Sequence, residues 1–149
     1  MFILRCFALS GELITIDLEK LKGYVASKLA KFPEIQGVYL FGSSLDKMRP
    51  DSDIDLGIIF DEKLSEDIDL LIEKVYYALG RFDGHSFDIV SVRDVNAILS
   101  FRIFHQGMPL YIADNDKVTD LMERVSRIYS DIYPRYRRAL EIISGLRSE

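Results

Sequence analysis

The run Val38-Tyr39-Leu40-Phe41-Gly42-Ser43-Ser44, followed by Asp51-Ser52-Asp53-Ile54-Asp55-Leu56-Gly57, decides both how this chain folds and what its site can hold. An apolar, aromatic stretch delivers a Gly-Ser turn, and the next apolar stretch opens on alternating acids. Residues two apart in a strand project to one face. Asp53 and Asp55 are therefore expected to converge, while Ile54 and Leu56 turn to the opposite face. Two carboxylates about 4 Å apart repel by roughly 4 kcal/mol at an effective dielectric near 20, so the pair predicts a bound cation. Shifting the register to Asp51 and Asp53 would leave Asp55 on an apolar strand with no role.

Mg²⁺ suits such a pair, because it takes hard oxygen ligands, commonly one or two carboxylates with substrate phosphates and water. In the turn Gly42-Ser43-Ser44, a glycine lets the backbone approach a phosphate closely. Ser43 adds a hydroxyl and an N–H at an expected helix N-terminus, where free amides favour an anion. The turn is expected to hold a triphosphate and the acids a metal. A third carboxylate stands in Phe87-Asp88-Ile89-Val90, where Asp88 is the one charged residue of an apolar run. A charge in a strand centre needs a partner. If this strand lies beside the one starting at Asp55, Asp88 completes the metal site and accepts the proton of an attacking hydroxyl.

Outward from this segment the periodicity predicts one continuous alternation of helices and strands, with no repeat, low-complexity tract or flexible linker. Asp17 is placed as the N-cap of a helix with apolar positions at Leu18, Leu21, Val25, Leu29 and Phe32, ended by Pro33. Ile35 to Phe41 and Asp55 to Phe60 read as neighbouring strands. Ser65 to Leu79 reads as a helix capped by Ser65, with Ile68, Leu71, Ile72, Val75 and Leu79 on one face. Ser86 to Val92 is a third strand, Val95 to His105 a helix stopped by Gly107, and Pro109 to Ile112 a short extended piece. Lys117 to about Leu146 is the longest helical pattern, with Pro134 expected to kink it or break it in two. The sum is an α+β fold: a small mixed sheet flanked by helices, with a C-terminal helical segment, in a single domain over 1–149 whose core spans about 17–112.

Composition narrows the function classes. A chain of 149 residues with 48% hydrophobic content can bury one ordinary core without disulfides or structural zinc. The single cysteine, Cys6, excludes an intramolecular disulfide and any CxxC metal site, and reads as a buried small residue. The net charge of −5 and the pI near 5.1 disfavour direct nucleic-acid binding, which relies on clustered Lys and Arg. The apolar start, residues 1–9, is shorter than a secretory core and lacks a basic flank, so it is expected to form an extra strand or a packed arm. With no stretch long enough to span a bilayer, the expected setting is the reducing cytoplasm. His85 and His105 each stand alone and read as surface or internally satisfied residues. Arg124, Arg127, Arg135, Arg137 and Arg138 read as a solvated helix face, and Tyr129, Tyr133 and Tyr136 as packing residues.

Phe41-Gly42-Ser43, Asp53-Ile54-Asp55-Leu56 and Asp88, in that order, resemble the signature of the DNA-polymerase-β-like nucleotidyltransferase superfamily. The resemblance covers roughly Ile35 to Val92. It implies ATP or another nucleoside triphosphate as donor, two Mg²⁺ ions, and transfer of a nucleoside monophosphate with release of pyrophosphate. Two features depart from the pattern: the spacer of nine residues between Ser43 and Asp53 is short, and Leu45-Asp46 replaces the small-then-Arg pair that often follows Gly-Ser. Lys47 and Arg49 are the nearby basic substitutes. More narrowly, the chain resembles the minimal nucleotidyltransferases (MNT) of the MntA type, antitoxins paired with HEPN-domain toxins. Its size carries this likeness, together with Ile103-Phe104-His105-Gln106-Gly107-Met108-Pro109-Leu110-Tyr111 ahead of a long helix bearing Tyr129-Ser130-Asp131. That resemblance implies adenylylation of tyrosine hydroxyls on a HEPN toxin, an RNase.

Two other readings use the same site. A small-molecule acceptor of the aminoglycoside type keeps the chemistry, but such enzymes generally carry an added acceptor domain for which the residues after Val92 are few. A non-catalytic antitoxin would act by occluding its partner. The acceptor residue, the number of AMP units, the base preference and the assembly, homo- or hetero-oligomeric, are not fixed by the sequence.

Overall fold

The computed structural model describes residues 12–64 and 66–145. The expected N-terminal strand or arm over residues 1–9, the packing of Cys6 and the capping role of Ser65 lie outside the described residues. Helix α1 spans Leu18–Leu29; strand β1 Ile35–Phe41; a single 3₁₀ turn Gly42–Leu45; β2 Ile54–Phe60; α2 Ile68–Leu79; β3 Phe87–Ser91; α3 Ala97–Gln106; β4 Met108–Ile112; and α4 Asn115–Ile143.

Each helix starts where a short polar side chain can satisfy the free amides of its first turn. Asp17 accepts from the N–H of Lys20 at 3.2 Å, Asn96 from Leu99 at 2.9 Å and Asp114 from Lys117 at 3.1 Å. Helix α2 is capped by Asp67, which accepts from Asp69 at 2.8 Å, so the helix begins three residues later than the expected Ser65. Gly107 ends α3, its N–H bonded to the carbonyl of Ile103 at 2.9 Å.

The strands form one sheet in the order β3-β2-β1-β4, with β2 and β3 parallel and the other pairs antiparallel. This is the expected small mixed sheet. Alternation along the strands sorts the core into two layers. On one face Val38, Leu40, Ile54, Leu56, Ile58 and Phe60 pack with Leu21, Val25 and Leu29 of α1 and Leu71, Val75 and Leu79 of α2. Full burial of each such side chain stabilises the fold by roughly 1.5–3 kcal/mol relative to exposure. The other face carries Tyr39, Ile59 and Val92 against Ile103 of α3 and Val118, Leu121 and Val125 of α4. Helix α3 lies close on β2 because position 57 is glycine: a Cβ there would sit 3.0 Å from Val92 Cγ2 and 3.1 Å from Ile103 Cγ2.

Pro134 does not break the last helix. Helix α4 continues through it as one element of 29 residues. Its buried contacts, Val118, Leu121 and Val125, all precede the proline, and the half that follows stands largely in solvent. Water can therefore satisfy the carbonyl that Pro134 leaves without its helical donor. Ile128, ahead of the proline, and Leu140, beyond it, are 44% and 48% exposed. Among the described residues no helix is long and apolar enough to cross a membrane.

Candidate active site

The register of the sheet brings the sequence-predicted acids together. Phe41 at the end of β1 lies opposite Asp55, and Asp55 lies opposite Asp88 on the parallel strand β3. The condition on which the role of Asp88 rested, that its strand flank the one starting at Asp55, is met. Asp55 alternates with Ile54 and Leu56, and Asp88 with Phe87 and Ile89, so both carboxylates project to the α3–α4 face. Asp53, just before β2, is exposed.

The partner of Asp88 is another acid. Asp88 lies directly opposite Asp55 in the parallel register, and the two carboxyls bear on each other with no base between them. Partial burial first, then the neighbouring Asp88 carboxyl, then the charge of Asp53 push the Asp55 carboxyl up to about 6. No ion pair among the described residues reaches Asp53, Asp55 or Asp88.

Gly42 is what allows this acid its position. Its φ is +81°, in the left-handed region, and a Cβ there would fall 2.1 Å from Asp55 Oδ2. Backbone and carboxylate thus meet with no side chain between them. The turn that follows is a single 3₁₀ turn, not the start of a longer helix, so an anion there would rely on individual N–H groups more than on a helix dipole. Ser43 is exposed beside it, whereas Ser44 is 1% exposed and its hydroxyl donates to the carbonyl of Phe41 at 3.4 Å. The Ser44 side chain therefore closes the turn internally. Of the nearby bases, Arg49 is held by Asp51 at 3.3 Å.

His85 is a contributor that the sequence did not reveal. It is 5% exposed, and its Nδ1 donates to the carbonyl of Ser52 at 2.9 Å, which pins the residue preceding Asp53. As a lone histidine it carried no spacing signal; its place two residues before β3 is the only hint.

A divalent cation fits this donor set by its chemistry. Hard carboxylate oxygens converge from β2 and β3, their mutual repulsion is relieved by positive charge, and Gly42 leaves the approach open. No three His, Cys, Asp or Glu side chains among the described residues stand together as a ready ligand set. What the chain offers is the Asp55–Asp88 pair with Asp53 close enough to act on its charge, and Mg²⁺ commonly completes its shell with water and phosphate.

A cavity away from the carboxylates lies elsewhere. A space of about 460 Å³ opens at the far ends of β2 and β3, bordered by Glu62, Arg93, Arg124 and Ile128. It is about 20 Å from the carboxylates along the strand, and its charges are paired: Glu62 lies 3.8 Å from Arg93 and 3.7 Å from Arg124.

A mixed sheet with a glycine turn at the end of one strand and carboxylates in register on the next two defines a nucleotidyltransferase-type domain. Residues 23–116 match the family described as polymerase beta, nucleotidyltransferase, and the chain belongs to that family. Solved structures share the fold. A chain in the crystal structure of the toxin–antitoxin MntA–HepT matches with a TM-score of 0.61 at 17% identity, over 85% of this chain and 98% of that one. A toxin–antitoxin with AMP-PNP matches with a TM-score of 0.61 at 20% identity, over 83% and 98%. A complex of tri-AMPylated Shewanella oneidensis HEPN toxin with MNT antitoxin matches with a TM-score of 0.60 at 20% identity, over 85% and 98%. No curated protein matches the chain.

Proposed function

We propose that this chain is an MNT-type antitoxin that transfers AMP from ATP to a hydroxyl of a protein acceptor, a tyrosine of a cognate HEPN toxin. The observation that carries the chemistry is the register of Asp55 with Asp88 beside the glycine turn, within a polymerase β nucleotidyltransferase domain. The acceptor class rests on the fold shared with an MNT antitoxin in complex with a tri-AMPylated HEPN toxin, and the donor on the neighbour that holds AMP-PNP.

In this reading Asp53, Asp55 and Asp88 hold Mg²⁺, and the N–H groups and hydroxyl of Gly42-Ser43-Ser44 receive the triphosphate, with Ser44 contributing main chain. Mg²⁺, when bound, supplies neutralisation of charge on the reacting phosphoryl group. The acceptor oxygen attacks the α-phosphorus, the bond from that phosphorus to the bridging oxygen breaks, and pyrophosphate leaves. Asp88 takes the hydroxyl proton. His85 acts by positioning, since it fixes the loop that presents Asp53.

The test is incubation of the purified protein with α-labelled ATP, Mg²⁺ and the product of the adjacent gene, wild type beside Asp53→Asn. Label on the partner that vanishes in the variant is the expected result. A stable complex without label on the partner in either protein would replace catalysis with occlusion.

A further inference from the structure

Helix α2 and the edge of the sheet enclose a shallow groove of about 360 Å³ that ends at Asp88. Its floor is apolar, from Ile72 of α2 and Phe87 and Ile89 of β3, and its rim carries Asp69, Glu73, Tyr76 and Tyr77. Tyr77 is 72% exposed and Tyr76 42%, the two rings meeting edge to face at 5.7 Å. Exposed aromatic area of this kind, beside unpaired charge, is unusual on a surface with no partner. Among the described residues neither Asp69 nor Glu73 is ion-paired to a cation; Lys74, the base of the same helix, is engaged by Glu66. The groove is therefore negative and half apolar, and it reaches β3 at Asp88, whose carboxylate lies round the strand on the other face.

The strand beside it adds a second kind of recognition. Among the described residues β3 is an outer strand whose sheet partner is β2, so alternate main-chain N–H and C=O groups along Phe87–Ser91 face away from the sheet. An edge of this sort selects for an extended polypeptide, with main-chain hydrogen bonds giving affinity and side-chain contacts giving specificity. A chain laid along it passes Asp88 and can bring a hydroxyl round the edge to that carboxylate.

We propose that the groove between α2 and the β3 edge docks the acceptor as an extended, Lys- or Arg-bearing polypeptide segment, with Asp69 and Glu73 reading its positive charge and Tyr76 and Tyr77 packing on its side chains. The assignment of the bound segment as acceptor rests on the adenylyltransfer reading above; the docking itself does not. The occupant is a polypeptide and not a small polycation, because a small polycation makes no use of the strand edge.

The experiment measures binding and transfer separately. Two fluorescent peptides share a central tyrosine, one flanked by lysines and the other by glutamates, and are titrated by anisotropy at low salt against wild type, Asp69→Lys/Glu73→Lys and Tyr77→Ala. The lysine peptide should bind wild type, the glutamate peptide should not, and the double reversal should weaken the lysine peptide about tenfold, an effect that fades at high salt. Glu73→Lys alone guards against loss of folding, since Asp69 also supports the first turn of α2. Equal binding of both peptides to wild type, or binding of the lysine peptide unchanged by reversal, overturns the proposal. So does the lysine peptide failing to bind wild type at low salt. With α-labelled ATP, charge-dependent binding without any AMP on the peptide or on the adjacent-gene product would remove the adenylyltransfer reading and leave the docking surface standing.

Discussion

At the start of β2 and β3, Asp55 and Asp88 lie in register with Asp53 just ahead of them, and no cation of the described chain is paired to any of the three. At the far ends of the same strands Arg93, 13% exposed, donates to the carbonyl of Phe60 at 2.7 Å and to Gln36 Oε1 at 2.9 Å and lies 3.8 Å from Glu62. Both regions put charge against the sheet, but only the second balances it. A buried charge that is paired and hydrogen-bonded holds neighbouring segments together, here β1, β2 and the segment after β3. A half-buried charge held beside like charges weakens the fold instead: burial first, and then Asp88 and Asp53, push the Asp55 carboxyl up. Strain of this sort, placed beside a glycine turn, is what a site for a charge-neutralising ligand requires.

The sharpest way to break the comparison is Asp55→Asn. Transfer of labelled AMP should fall by about 10³-fold or more, since both metal and phosphate would lose their main anchor. At the same time the chelator-treated variant should melt a few degrees higher than wild type at pH 8. The shift from 3.8 to about 6 sets a ceiling of about 3 kcal/mol, and screening at this half-exposed group reduces it to about 1 kcal/mol. A variant that is inactive and no more stable would show that the Asp55 charge costs the fold nothing through either burial or repulsion.

Gly42→Ala tests the close approach on the same side. The new methyl would meet Asp55 Oδ2 at 2.1 Å with φ at +81°, so the turn or the carboxylate must move. A displacement of about 1 Å at a reacting site costs on the order of 10²-fold in rate, read in the same transfer assay. Arg93→Ala does the reverse at the balanced end. It leaves buried acceptors without their donor, costing about 1–3 kcal/mol. The melting temperature should therefore fall while the transfer rate, measured well below it, stays within about twofold. A large loss of rate would mean that the two ends are coupled.

Much of this contrast was legible in the sequence, and the reasons it was incomplete are physical. β1 begins and ends where the apolar run and Gly42 place it, and Asp53-Ile54-Asp55 announced the converging pair, because strand alternation is local. Whether β3 lay beside β2 was a matter of topology, and so the partner of Asp88 could be stated only as a condition. The cap of α2 was missed because Ser65 and Asp67 are both good N-caps two residues apart, and the first turn of the helix chooses between them. Pro134 was over-weighted: its penalty is largest where water cannot reach the freed carbonyl, and that half of α4 is exposed. The Arg93 network, joining positions 57 residues apart in sequence, has no local signature.

The smallest expected effect is the dependence of stability on pH. The folded-state value for Asp55, about 6, lies above the ordinary 3.8, so between these values the folded protein binds more protons than the unfolded chain. Stability in the presence of chelator should therefore rise as pH falls from about 7 toward 5, by about 1 kcal/mol after allowance for solvent screening, before other carboxylates begin to titrate. This is opposite in sign to the usual salt-bridged acid, which loses stability on acidification. Asp55→Asn should flatten the rise, and Arg93→Ala should leave it intact, because the repulsion is confined to the starts of β2 and β3. With Mg²⁺ present the trend should reverse, since protons compete with the cation for the same oxygens. Urea titrations at pH 5, 6 and 7, with and without Mg²⁺, measure both signs. A rise that survives Asp55→Asn would place the unbalanced charge elsewhere in the sheet.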